Sequence, residues 1–163
     1  MGSFDNMILI LYGVITVFFI YRIFKQQRDK KHLGSDIKSF KRPISSMEAI
    51  LFSILIVTAI VNLYQGYKVS NKNSMMVASI MIVLALVFAI YSTTKLYIAD
   101  NGMLINTGFV SFKELKKWGF DQERGDLVMA IKKDGNTNRE STKVRKEDIE
   151  EINDLIRKHK LGK

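Results

Sequence analysis

Cysteine is absent from the 163 residues, so no disulfide, thiolate nucleophile or cysteine-ligated metal is available. Histidine is nearly as scarce. His32 and His159 each sit in a strongly charged stretch with no second His at metal-ligand spacing, and both are expected on the surface. The only proline, Pro43, falls just outside a hydrophobic run and interrupts nothing. A Gly-rich phosphate loop, a nucleophile–base pair and a carboxylate pair framed by apolar residues are all missing. The acidic group Glu147, Asp148, Glu150, Glu151 and Asp154 reads as the solvated face of a helix. No catalytic, metal or cofactor site is expected. Acidic residues are also the minority, 16 against 25 basic, for a net charge of +9.

Charge itself is missing from three long runs. Met7 to Tyr21 has none, and Arg22, Ile23 and Phe24 extend it to about 18 residues, enough to span a bilayer at about 1.5 Å per residue. With Asp5 as its only preceding charge and bulky aromatics at its end, the run reads as a retained helix rather than a cleaved signal. A second run covers Met47 to Tyr67, and Ser45-Ser46-Met47-Glu48 before it fits a helix-capping box. The third, Met75 to Tyr91, continues uncharged to Thr94. These runs predict a membrane domain over 1–94, with helices at about 5–24, 46–67 and 75–94.

Between the first two spans, seven basic residues against Asp29 and Asp36 give the 25–45 loop a net +5, whereas the next loop offers only Lys68 and Lys72. The positive-inside bias then places the N-terminus outside, and the basic loop and everything after Lys95 in the cytoplasm. Asn62, Gln65 and the Ala85-x-x-x-Ala89 spacing are expected to serve helix packing. No run has an ionisable group at mid-membrane, as a transport path would require.

After Lys95 the pattern becomes short and alternating. Leu96, Ile98 and Asp100 face one way, Tyr97 and Ala99 the other, and Asn101-Gly102 is a strong hairpin signal. The return strand, Met103 to Thr107, ends at Gly108. Ser111-x-x-Glu114 suggests a helical turn before Lys116 to Asp121, where Trp118 and Phe120 share a face. Leu127 to Lys132 and Arg139 to Val144 complete about five antiparallel strands. The aromatics Tyr97, Phe109, Phe112, Trp118 and Phe120 read as core residues of a small sheet. Ile149, Ile152, Leu155, Ile156 and His159 then recur at helical spacing, acids preceding bases, in a closing amphipathic helix. The fold class is thus membrane α-helical, with three transmembrane helices, plus a small α+β cytoplasmic domain over 95–163.

Leu96-Tyr97-Ile98, Asp100 to Ile105, the Phe112 to Phe120 stretch around Trp118 and the Ile149 to Ile156 helix carry a resemblance. The chain resembles small Gram-positive, Firmicute-type membrane proteins in which transmembrane helices precede a pleckstrin-homology-like (PH-like) domain. A complete domain of that type has seven strands before its helix, so about five implies a shortened version. The resemblance also implies a binding or scaffolding platform without catalysis.

Basic residues in the first hairpin, which lipid-binding relatives use, are replaced here by Asp100-Asn101-Gly102. The candidate contacts to an anionic lipid or protein are instead Lys25, Arg28, Lys30, Lys31, Lys41 and Arg42 of the loop, with Lys113, Lys116 and Lys117 of the domain. From Lys95 onward, 15 basic and 12 acidic residues intermix, a poor track for nucleic acid. The expected function is a membrane-anchored, non-catalytic adaptor or regulatory subunit. It would touch membrane lipids and bind another protein or a second copy. The alternative is an immunity protein against a membrane-active bacteriocin or secreted toxin, in which Tyr67 to Asn73 would matter most.

Overall fold

The structure, a computed structural model, describes residues 3–162 and divides into two compact units. The first comprises the chain up to Ile23 together with Ser45–Ser92. It contains most of α1 (Ser3–Lys30) and all of α2 (Ser46–Lys68) and α3 (Lys72–Ser92), each long and apolar enough to cross a membrane. Their outward faces are apolar: Ile10, Val17, Ile54, Val57 and Leu86 are all exposed, the arrangement that lipid rather than water suits. Of the most apolar stretch of α3, 28% is buried, against 6% in α1 and in α2, so α3 is the helix on which the others pack. Phe19 of α1 meets Phe88 and Tyr91 of α3 edge-on or tilted, with ring centres 5.5 and 5.2 Å apart.

Local chemistry sets the helix ends. At α2 the capping box forms in full: Glu48 N–H donates to Ser45 Oγ at 3.1 Å, and Ser45 N–H donates to Glu48 Oε2 at 2.8 Å. The third helix begins at Lys72 rather than at 75, because Asn71 Oδ1 accepts from the N–H groups of Asn73 and Ser74. Its first turn passes close to Gly66, where a Cβ would press on Ser74 and Met75. The first helix runs on past 24 to Lys30, with Arg28 and Lys30 favourably placed in its last turn.

The second unit is Phe24–Ile44 with Thr93–Lys163. Residues 25–45, assigned above to the membrane domain, therefore fold largely with the chain after Ser92. The reason is a strand, β1 (Lys38–Lys41), which pairs antiparallel with β2 (Lys95–Ile98) in the register Phe40↔Leu96. Next come β3 (Gly102–Ile105) and β4 (Gly108–Ser111), completing a four-stranded sheet ordered β1-β2-β3-β4. A second sheet is ordered β5-β6-β7, from β5 (Leu115–Asp121), β6 (Asp126–Lys133) and β7 (Asn136–Lys143). The count is seven strands, not five. The two additions are β1 and β4. The 111–114 segment is a turn rather than a helix, closed by Ser111 N–H to Glu114 Oε2 and Lys113 N–H to Ser111 Oγ.

One core joins both sheets to α4 (Ile149–Leu161). Leu96, Ile98, Met103, Leu115, Leu127 and Met129 pack with Ile152 and Ile156, the latter two fully buried. A smaller cluster lies on the other face of the first sheet, where Leu33 covers Ala99 and Leu104 beside Tyr97 and Phe109. Buried from both sides, β3 is apolar along its whole length instead of alternating.

Candidate functional site

The end of α1 and the linker after it are fastened to the β2–β3 hairpin. Asn101 Nδ2–H donates to the His32 carbonyl at 2.8 Å, Gly34 N–H donates to Asn101 Oδ1 at 2.8 Å, and Ser35 Oγ–H donates to Asp100 Oδ2 at 2.7 Å. The turn without basic residues is thus a docking point for the unit's own linker. Lys25 reaches the Thr107 carbonyl at 3.4 Å, and Lys30 holds its ammonium 4.5 Å from the centre of the Tyr97 ring. Arg28 and Lys31 are exposed, Lys41 stands on β1 opposite Lys95, and Arg42 is half-buried just beyond.

The remaining candidates lie across the core. Lys116 and Lys117 are exposed on β5, an outer strand of its sheet, next to a bulge between Leu115 and Lys117. With Trp118, Phe120, Asn153 and Arg157 they line a hollow of about 370 Å³ between β5 and α4. Two more hollows, of about 460 and 570 Å³, also border Trp118, one over the β5-β6-β7 sheet and one toward Leu161. The indole is half-buried and oriented by its Nε1–H, which donates to Asn153 Oδ1 at 3.0 Å. Lys113 is not part of this groove; it stands in the turn before β5. Arg157 and Asn153, which were not among the candidates, come from α4 and are signalled only by their place on the helix face flanking Ile152 and Ile156.

Of the acidic group on and before α4, Glu151 binds Lys38 at 2.7 Å and Glu147 binds Arg145 at 3.0 Å. The Glu151 carboxylate, as hydrogen-bond acceptor and then as charge, raises the Lys38 ammonium above its ordinary value. No group of three or more His, Asp or Glu side chains able to hold a metal ion occurs among the described residues. His159 is half-buried and stacks on Phe112 with ring centres 6.0 Å apart, while His32 is exposed.

In the membrane unit, Asn62 Nδ2 approaches Met81 Sδ at 3.8 Å. Both residues line a cleft of about 290 Å³ with Ile8, Tyr12, Thr58 and Asn71.

Residues 94–161 match a family described as a domain of unknown function, DUF5673. Comparison with curated proteins and with solved structures gives no match. The matched segment begins at β2, so β1 lies outside it.

Proposed function

We propose that the protein is a membrane-anchored, non-catalytic adaptor whose cytoplasmic domain is PH-like and binds a protein partner along the groove between β5 and α4. The observation that carries this reading is the set of hollows around Trp118. An aromatic anchor, an outer strand with a bulge and three cations (Lys116, Lys117 and Arg157) meet at one helix–strand boundary. Such a boundary suits an extended acidic segment, which can add to the strand edge and lay side chains against the indole. The PH-like reading is supported by the strand count: four strands, then three, then a closing helix, with β1 contributed from the loop.

The test is a photo-crosslinking residue at Lys117 in the full chain in native membranes. A discrete protein adduct is expected, reduced at least tenfold by Trp118→Ala and by Lys116→Glu. An adduct pattern indifferent to both substitutions would remove the groove from the function.

The uncharged polar cleft of Tyr12, Thr58, Asn62 and Asn71 favours the second reading, protection against a membrane-active peptide. There, Asn62→Leu should abolish resistance without changing expression.

A further inference from the structure

The outer face of the four-stranded sheet gathers three lysines. Cross-strand register sets Lys41 directly opposite Lys95, and Ser39 opposite Tyr97. Phe40, Leu96 and Ile98 point into the main core, so positions 39, 41, 95 and 97 lie on the other face, where Tyr97 packs in the cluster with Leu33. Onto that face Lys30 brings its ammonium, 3.5 Å from the Tyr97 hydroxyl. Lys30, Ser39, Lys41 and Lys95 are all exposed.

Like charges directly opposite one another weaken an antiparallel pair. Orientation in a membrane does not demand this geometry, since any cation in the loop would serve it. Two neighbouring carboxylates are engaged elsewhere, Asp100 accepting from Ser35 and Glu151 holding Lys38, and Asp29 stands beside Gly108 on the Lys25 side. Asp148 and Glu151 share a shallow hollow with Lys41, and the cations Lys38 and Arg145 line it too, so basic residues outnumber acidic ones there. By chain length alone the lysines belong near lipid. Lys30 ends the first membrane helix, Lys41 precedes Ser46 of the second by five residues, and Lys95 follows Ser92 of the third by three.

We infer that this face binds the phosphate of an anionic phospholipid headgroup. Lys41 and Lys95 hold it as a cross-strand pair, with Lys30 and the hydroxyls of Ser39 and Tyr97 as further donors. The site is separate from the β5–α4 groove and does not depend on the reading given to it.

The test is native mass spectrometry of the full chain in detergent with phosphatidylglycerol or phosphatidylcholine. The chain should retain phosphatidylglycerol selectively. Lys41→Gln and Lys95→Gln should each weaken retention about fivefold, and Lys132→Gln on β6 should not. Lys95→Glu makes the cross-strand pair opposite in charge, so it should raise the melting temperature in lipid-free detergent while abolishing retention, which separates lost binding from lost folding. Equal retention of both lipids, or undiminished retention by the Lys41→Gln, Lys95→Gln double variant, would overturn the site. Release by millimolar inorganic phosphate would make the ligand a soluble anion and overturn its assignment to lipid.

Discussion

Single residues fasten the linker to the sheet, and Asn101 carries most of that attachment. Its amide bonds both the His32 carbonyl and the Gly34 N–H, while its own carbonyl accepts from Phe112 N–H at 3.3 Å. Removing the side chain takes away two exposed hydrogen bonds at once, whose backbone partners water can then satisfy, so Asn101→Ala should cost about 1 kcal/mol, read as a lower melting temperature in detergent. Asn101→Asp keeps the acceptor but loses the donor, and should fall between Asn101→Ala and the parent. Gly34 meets a steric limit instead: a Cβ there would fall on the Asp100 carboxylate, so Gly34→Ala should loosen the same attachment. Lys38 gives a pH signature. Because the bonded form is the ammonium, its contribution is complete below the ordinary value of 10.5 and fades as pH climbs through the raised folded value. The pair is exposed and the effect small, so melts of Lys38→Gln and the parent should differ slightly at neutral pH and converge in strong alkali.

Among the elements, those that announce themselves by pattern are the ones the sequence predicts. Three charge-free runs became α1, α2 and α3, and the Ser45–Glu48 box marked the start of α2. Leu127, Met129 and Ile131 fell buried on one side of β6, and Ile152 and Ile156 buried α4. The two strands without a sequence signal, β1 and β4, lack a pattern of their own. In β1, Lys-Ser-Phe-Lys holds one apolar residue inside a basic loop, and only pairing with β2 gives Phe40 a core to enter. In β4, Gly108 marks a strand's beginning rather than its end, since Asn106 and Thr107 make the turn from β3. The candidate groove was half legible. Lys116, Lys117 and Trp118 are neighbours in sequence, but Asn153 and Arg157 join them only through the packing of α4. Phe40 tests the importance of β1 directly: it is 7% exposed, and Phe40→Ala should cost about 3 kcal/mol, measured by thermal melting of the purified chain. A loss under 1 kcal/mol would mean that β1 is an ornament on the sheet.

At the scale of the whole molecule, the domain is discontinuous in the chain: β1 precedes the α2–α3 hairpin and β2 follows it. A fragment cut at Lys95 exposes the edge of β2 and leaves Leu96 and Ile98 without Phe40. Such a fragment should aggregate or exchange its amides quickly, whereas residues 24–44 joined by a short linker to 93–163 should fold, as hydrogen exchange would report. The absence of cysteine makes orientation equally accessible. With no native thiol to mask, Asn71→Cys should react with an impermeant maleimide on intact cells, and Asp134→Cys should react only after lysis. Discontinuity also imposes an order of events during synthesis. Once β1 leaves the ribosome, the 53 residues from Arg42 to Thr94 must be made before β2 begins to appear, a wait of roughly 3 to 10 s at ~5–20 residues per second. The Phe40 strand therefore stays an unpaired edge until the two intervening helices have been synthesised, so maturation of the domain follows the making of its membrane hairpin instead of running alongside it.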